Sequence, residues 1–164
     1  MPQGVQPPFG YIVPSKAVYT PAAPTAPAST SAYKMQGLAM LLTPLTPAPA
    51  ILVNISAAII ATTGTAGTGI NMQLWYGPVT SGVAPPANAA AIPNSATQLG
   101  TTSTFELATA ATTVADLFMP VDLMGIAMNL TPGQQYWFDL ACESIGTASG
   151  MGLSQINGVL AEIG

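Results

Sequence analysis

Apolar and polar residues alternate along several stretches of this chain, and residues that favour turns separate these stretches. In the segment 50–62, the odd-numbered positions from 51 to 59 hold Ile, Val, Ile, Ala and Ile, and the segment 70–77 alternates in the same way. A period of two places alternate side chains on the same face of a β-strand, whereas a helix needs a period of about 3.6. No segment combines the helical period with capping residues, so the pattern predicts an all-β fold.

Strands of this kind recur along the rest of the chain, with turns between them. The predicted strands span 34–44, 50–62, 70–77, 102–109, 112–130, 136–144 and 151–163. The fifth is predicted as one strand or as a strand pair, because Pro120 lies in its middle. The segment 78–100 holds four prolines and is predicted to be a long, irregular excursion. Short strands separated by turns are typical of a β-sandwich or jelly roll, and we predict this architecture for residues 35–164.

The segment 130–140, LTPGQQYWFDL, carries the most specific local pattern. Pro132 and Gly133 suit a tight turn, because proline fixes φ and glycine accepts a positive φ. Tyr136 follows this turn. In β-sandwich domains such a tyrosine closes a corner by bonding its hydroxyl group to nearby backbone, and we predict the same corner here.

The strand 136–144 has a strongly apolar face. The residues of its predicted inner face are Tyr136, Phe138, Leu140 and Cys142. Asp139 and Glu143 are four positions apart, so strand alternation places them together on one face. We expect these two carboxylates to be solvated or to face a neighbouring molecule.

The first 34 residues differ in composition from the rest of the chain. They hold seven of the 16 prolines and both cationic side chains, Lys16 and Lys34. Proline fixes φ and removes a hydrogen-bond donor, so neither a helix nor a central strand is expected to persist there. We predict an extended N-terminal arm over residues 1–34 that becomes ordered against another molecule. The alternative is an untethered tail.

Large apolar side chains interrupt the polar and proline-rich composition of the arm, and a purely solvated tail has no need of them. Two tryptophans, Trp75 and Trp137, fall on strand faces opposite the predicted core, where they line either a subunit interface or the second sheet of the sandwich. We favour an interface, since exposed large apolar residues tend to mark interaction surfaces. The predicted interface and arm anchors are Phe9, Tyr11, Ile12, Val13, Val18, Tyr19, Trp75 and Trp137.

Charged residues make up only 5% of the chain, against roughly 25% in an ordinary soluble domain. Surface charge helps to keep proteins apart, so this composition favours a subunit of an assembly. Two lysines, without arginine or histidine, cannot neutralise a phosphate backbone, and no nucleic-acid partner is expected. The longest apolar segment, 50–64, is too short for a membrane-spanning helix and contains Asn54 and Ser56, so no membrane partner is expected. The N-terminus lacks the basic and apolar regions of a signal peptide.

The residue types needed for catalysis or metal binding are not assembled in this sequence. Cys142 has no histidine to activate it, and a single cysteine cannot form an intrachain disulfide. The segment 116–122 brings two aspartates close together but is too apolar for a calcium loop. We therefore predict that the protein is not an enzyme and that it binds no cofactor or metal.

Several segments within residues 35–164 carry a resemblance to a known family. They are MQGLAMLLTP (35–44), ILVNISAAI (51–59), INMQLWYG (70–77), LTPGQQYWFDLA (130–141) and LSQINGVLAEI (153–163). Together they resemble the jelly-roll modules of bacteriophage virion proteins, namely capsid decoration or cement proteins and some fibre heads. They are also similar to the complement and tumour-necrosis-factor-like jelly roll, which typically trimerises. The arm and the excursion 78–100 depart from this family pattern.

The resemblance implies a structural protein of a bacteriophage particle, located on the capsid surface. Its expected partners are the major capsid protein and copies of itself, as a homotrimer. Its expected role is to decorate or cement the capsid by bridging neighbouring capsid subunits. One alternative is a receptor- or glycan-binding head module of a tail fibre or spike, in which Trp75 and Trp137 stack on sugars. Another is a secreted bacterial surface or matrix protein.

Overall fold

The computed structural model describes residues 16–19, 32–61, 66–107, 117–146 and 151–163. Within these ranges the chain forms strands and no helix. The strands are β1 (Lys16–Tyr19), β2 (Lys34–Met35), β3 (Met40–Leu42), β4 (Ala50–Ala61), β5 (Gly69–Pro78), β6 (Thr97–Glu106), β7 (Leu117–Ala127), β8 (Tyr136–Ile145) and β9 (Met151–Ile163). The all-β prediction is confirmed.

The strands form two antiparallel sheets that pack face to face. One sheet has the order β1-β9-β4-β7, and the other has the order β2-β8-β5-β6, with β3 also paired to β8. Among the described strands, β5 and β6 are consecutive in the chain and also hydrogen-bonded to each other. Most other consecutive strands lie in different sheets, so the chain crosses from one sheet to the other between them. With β2 and β3 counted as one interrupted strand, this is the two-sheet arrangement of a jelly roll. The predicted β-sandwich is therefore confirmed.

The hydrophobic core lies between the two sheets and is supplied by the inner faces that the alternation predicts. On β4, Ile51 and Ile55 are fully buried, and on β8, Phe138 and Leu140 are fully buried. Phe138 stacks on Tyr76 of the neighbouring β5, with ring centroids 5.8 Å apart. Stacking of this kind adds to the area that the two rings bury, so β5 and β8 form the centre of the core.

The predicted tyrosine corner is present at the start of β8. The backbone N–H of Thr131 donates a hydrogen bond to the hydroxyl oxygen of Tyr136, at 3.0 Å. Gly133 has a positive φ of 78° and donates its N–H to the carbonyl of Pro44. The corner therefore fixes the entry into β8 and also ties it to the loop that follows β3.

The predicted strand 34–44 is interrupted, which corrects one sequence expectation. Gly37 and Ala39 adopt positive φ values of 71° and 48°, so the chain bends between β2 and β3. The carboxylate of Asp139 accepts hydrogen bonds from the N–H groups of Gly37 and Leu38, both at 3.0 Å. A positive φ is costly for alanine, and these bonds compensate for the pairing that the bend removes.

Pro120 does not divide the segment 112–130 into two strands. β7 runs through it, and Pro120 lies opposite Ala58 of β4. β7 is an edge strand of its sheet, where a residue without an N–H can face away from the neighbouring strand.

The opposite edge of the same sheet is β1, which lies inside the predicted arm. Residues 16–19 lie between Pro14 and Pro21 and contain no proline, so a short edge strand is compatible with their composition.

Candidate interaction surface

The outer face formed by β4, β7 and β9, three strands of the four-stranded sheet, is largely apolar. We call it the open face; it consists of the outward-facing residues of β4, β7 and β9 together with Met128, which follows β7. Along β7, Leu123 and Ala127 are buried in the core. Strand alternation therefore directs the side chains of Met124 and Ile126, which lie between them, to the outer face. Met124 is 67% exposed and Ile126 is 48% exposed. An antiparallel sheet with one solvated face normally places polar residues at such positions.

The apolar character of the open face extends across strands. Ile126 of β7 lies opposite Leu52 of β4, and Leu52 lies opposite Ala161 of β9, which gives a transverse apolar row. Ile163 at the end of β9 is 42% exposed and lengthens the surface on that side. Exposed apolar surface that is contiguous over several strands marks an interaction site more often than scattered single residues do.

Charge is nearly absent from the open face. Among its described side chains, Asp122 is the one charged group, and it lies opposite Ser56 near the middle of β7. Asn54 and Ser56 supply uncharged hydrogen-bonding groups in between. The centres of protein–protein interfaces are depleted of charge and enriched in methionine and aromatic residues, so the composition of this face matches such a centre.

A groove continues from the open face at its Met128 end. It has a volume of about 380 Å³ and is lined by residues 47–50 and 128–130. Beside it, the loop after β3 presents Leu45, which is 59% exposed. The buried carboxylate of Glu162 holds this loop: its Oε1 accepts hydrogen bonds from the N–H of Leu45 at 2.8 Å and from the N–H and hydroxyl of Thr46 at 2.7 Å. The rim of the groove is therefore held in place by three hydrogen bonds to one buried carboxyl group.

The outer face of the other sheet is covered by the chain itself, which corrects the expectation for Trp137. Its side chain is only 4% exposed and forms a second cluster with Met35 and Ala141 under the segment 79–96. The indole lies directly on Gly77, where a Cβ atom would approach its Cζ2 to 2.7 Å. Trp137 does face away from the main core, as predicted, but it is not available to a neighbouring molecule.

The remaining predicted anchors have different positions. Trp75 is half-buried beside the Trp137 cluster, and its Nε1–H donates a hydrogen bond to Gln73 Oε1 at 3.0 Å. Val18 and Tyr19 belong to β1, opposite Val159 and Gly158 of β9. The other anchors, Phe9, Tyr11, Ile12 and Val13, lie outside the described residues. An interface role for Trp75 and for the arm stays a prediction.

The two acidic residues of β8 do not act as a pair, although alternation places them on one face. Asp139 is 1% exposed, whereas Glu143 is half-buried. Burial raises the pKa of Asp139 to about 7, against the opposing effect of hydrogen bonds from the backbone of Leu38, Leu140 and Gly37. The expectation that Asp139 is solvated is therefore wrong, because the bend between β2 and β3 and the segment above it cover this carboxylate.

The described residues offer little for catalysis or metal binding. Burial, and secondarily the charge on Asp139, raises the pKa of the Cys142 thiol far above its ordinary value, so the thiol stays protonated inside the core. No group of three or more His, Cys, Asp or Glu side chains within the described ranges is arranged to hold a metal ion. Nor does the described part of the chain contain a helix with the length and hydropathy needed to cross a bilayer.

Comparisons with known proteins give weak structural similarities. No family model and no curated protein matches the chain. It is similar to the structure of infectious bursal disease virus Gt strain, with 12% identity over 90% of this chain and a TM-score of 0.35. It is also similar to the crystal structure of the infectious bursal disease virus VP2 subviral particle, with 14% identity over 90% of this chain and a TM-score of 0.36. The chain spans about a third of the length of these proteins, 33% and 32%, and likeness at this level assigns neither a family nor a function.

Proposed function

We propose that the protein is a non-enzymatic structural subunit of a virus particle and that it associates through its open face. In the finer form of this proposal it decorates or cements the capsid surface of a bacteriophage as a homotrimer and bridges neighbouring copies of the major capsid protein. The observation that carries the proposal is the contiguous, nearly uncharged apolar surface on the four-stranded sheet.

The size of the hydrophobic contribution favours an assembled state. Met124, Ile126 and Met128 are 67%, 48% and 59% exposed. Full burial of such a side chain from an exposed position contributes about 1.5–3 kcal/mol, so each of these partly exposed residues would contribute about 1–2 kcal/mol in an interface. Association also costs several kcal/mol in lost freedom of motion, so the groove and the half-buried row on β4 and β9 must contribute as well.

The low charge of the chain also favours an assembled state. A surface with few charges produces little long-range repulsion between copies, and it has little charge to desolvate when copies meet. Ordinary soluble domains avoid this composition because it promotes association. A surface with few charges suits a protein that functions as a subunit of an assembly, with its surface covered by neighbouring molecules.

The proline-rich arm suits the bridging part of the proposal. Residues 1–34 carry seven of the chain's 16 prolines, which restrict the conformations of an extended chain before it binds. The entropy lost when such a segment docks is therefore smaller than for a flexible chain of equal length. An arm of this length wraps a large area on a neighbour and links adjacent subunits.

The proposal is tested by polar substitution on the open face. We expect the wild-type protein to be oligomeric by size-exclusion chromatography with light scattering, and the double variant Met124→Gln, Ile126→Thr to be monomeric with an unchanged β-type circular dichroism spectrum. Val83, which is 63% exposed in the segment above the other sheet, provides the matched control Val83→Thr, which should stay oligomeric. A monomeric wild-type protein, or an oligomer unaffected by the double substitution, would refute the proposal.

The glycan-binding alternative receives no support from the arrangement of the tryptophans. Sugar binding by aromatic stacking needs ring faces that are open to solvent. Trp137 is covered by the chain itself, and Trp75 is half-buried and hydrogen-bonded to Gln73. The arrangement of the two tryptophans therefore does not favour glycan binding.

A further inference from the structure

The open face carries one column of outward side chains on each of β7, β4 and β9, and the pairing of the strands aligns these columns in transverse rows. Each row runs from β7 through β4 to β9. The rows are Asp122–Ser56–Asn157, Met124–Asn54–Val159 and Ile126–Leu52–Ala161. Successive rows are about 6.8 Å apart, because alternate residues of a strand share a face. A neighbouring molecule therefore meets side chains at fixed and regular positions.

The two outer columns differ in the size and exposure of their side chains. On β7, Met124 is 67% exposed and Ile126 is 48% exposed. In the same rows on β9 lie Val159 and Ala161, which are smaller and half-buried. The β7 column therefore forms a ridge, and the β9 column forms a shallow depression about 9.6 Å away across β4.

The two columns also differ in hydrogen-bonding character in the row that contains Ser56. Asp122 lies at one end of this row and Asn157 at the other, and both side chains are exposed. The amide nitrogen of Asn157 donates a hydrogen bond to the carbonyl oxygen of Gln155 in its own strand, at 3.1 Å, which holds the amide group on β9. A carboxylate only accepts hydrogen bonds, whereas an amide nitrogen carries two N–H donors, so the two ends of the row are complementary.

We propose that the open face binds a second copy of this chain, with the β7 column of one copy packed on the β9 column of the other around a rotation axis parallel to the strands. This inference rests on the proposed function, in which the open face is covered, and it names the neighbour and its orientation. Rotation about such an axis keeps every row at its own level, so each row meets the same row of the other copy. The resulting contacts between copies are Ile126 with Ala161, Met124 with Val159 and Asp122 with Asn157.

This orientation matches large side chains with small ones and an acceptor with a donor. An axis across the strands would instead pack β7 on β7, so that ridge meets ridge and Asp122 lies against an apolar side chain. A carboxylate that is buried without a hydrogen-bond donor costs several kcal/mol, which disfavours that arrangement. The parallel axis is compatible with a pair of copies. It is equally compatible with a trimer, in which each copy gives its β7 column to one neighbour and its β9 column to the other.

Exchange of the acceptor and the donor tests the contact between Asp122 and Asn157. In the variant Asn157→Asp, two carboxylates meet between copies, and we expect the dissociation constant measured by analytical ultracentrifugation at pH 7 to rise roughly tenfold or more. The exchanged variant Asp122→Asn, Asn157→Asp again places an amide opposite each carboxylate. Its dissociation constant should return to within about threefold of the wild-type value. Asn94→Asp, at an exposed position in the segment above the other sheet, adds the same charge and is the matched control, which should assemble like the wild type.

A charge pair tests the register in another row. Ile126→Asp and Ala161→Lys each place a single charge in the contact, so each variant alone should dissociate the assembly. A chain that carries both substitutions brings opposite charges together between copies, and its dissociation constant should return to within about tenfold of the wild-type value. Ile126→Asp combined with Asn157→Lys, two rows away, is the control for register and should stay dissociated.

Failure of either restoring variant to assemble, with the β-type circular dichroism spectrum retained, overturns the inference. Restored assembly of the register control also overturns it, because the rows would then not be matched. Each of these results can occur while the Met124→Gln, Ile126→Thr variant is still monomeric and the wild type oligomeric, which leaves the proposed function standing. A monomeric wild-type protein overturns both proposals.

Discussion

Replacing Asp139 by asparagine should remove one specific pH dependence from the stability of the fold. Burial raises the pKa of this carboxylate from an ordinary value of 3.8 to about 7. The folded protein therefore holds a proton on Asp139 between these two pH values, whereas the unfolded chain has released it. Because the folded state binds more protons, the stability of the wild-type protein falls as the pH rises through this window, and the loss is complete above about pH 7.

The magnitude follows from the size of the pKa change. One pKa unit corresponds to about 1.36 kcal/mol, so the whole window is worth about 4 kcal/mol. Between pH 5 and pH 8, Asp139 should lower the free energy of unfolding of the wild-type protein by about 3 kcal/mol. The asparagine of the Asp139→Asn variant does not titrate, and its amide group cannot satisfy all three backbone donors that Asp139 accepts from, so the variant should be less stable than the wild type at pH 5.

Urea unfolding at pH 5 and pH 8, followed by circular dichroism at one protein concentration, measures this effect. With a slope of about 2 kcal/mol per molar urea, the difference between wild-type and Asp139→Asn midpoints should change by roughly 1.5 M between the two pH values. Other titrating groups affect both proteins equally, so they cancel in this difference. If the urea midpoints of the two proteins change equally between pH 5 and pH 8, Asp139 does not cause the pH dependence of stability proposed here.

Three further substitutions test other parts of the fold. Gly77→Ala should lower stability by about 1–3 kcal/mol and shift tryptophan fluorescence to longer wavelength, because the added Cβ displaces the Trp137 indole; an unchanged spectrum would contradict the close packing. Tyr136→Phe should cost about 1 kcal/mol in urea unfolding, since the N–H of Thr131 loses its hydroxyl acceptor. Glu162→Ala should cost about 1–3 kcal/mol in thermal unfolding, because the N–H of Leu45 and the N–H and hydroxyl of Thr46 lose their common acceptor; no loss would show that the loop is held by packing alone.

Much of the fold could be predicted from alternation and turn chemistry. The inner faces of β4 and β8 follow from a period of two, and the corner at Tyr136 follows from the turn at Pro132 and Gly133. These features depend on residues close together in sequence. The break between β2 and β3 could not be predicted, because the positive φ of Ala39 has no signal in the sequence and depends on hydrogen bonds to a residue about a hundred positions away.

The candidate surface was harder to predict than the fold. The sequence does not predict the open face, because Pro120 makes the segment 112–130 ambiguous and only a continuous β7 places Met124 and Ile126 on the outer side of the sheet. Strand alternation predicts that Trp137 faces away from the core. It does not predict that the segment 79–96 covers the side chain. Contact between a loop and a strand that is distant in the sequence produces no periodic pattern of residues.

Oxidation of methionines tests most directly whether the open face is covered in the assembled protein. Met124 and Met128 are 67% and 59% exposed in the single chain, whereas Met40 and Met72 are each 1% exposed and serve as buried references. Peroxide treatment followed by peptide mass spectrometry gives the oxidation rate of each residue. We expect Met124 and Met128 to oxidise several-fold more slowly in the assembled wild-type protein than in an Ile126→Asp variant, in which a charge on the open face opposes assembly, while the rates at Met40 and Met72 stay low in both. Equal, fast oxidation of Met124 and Met128 in the assembled protein would show that this surface is not an interface.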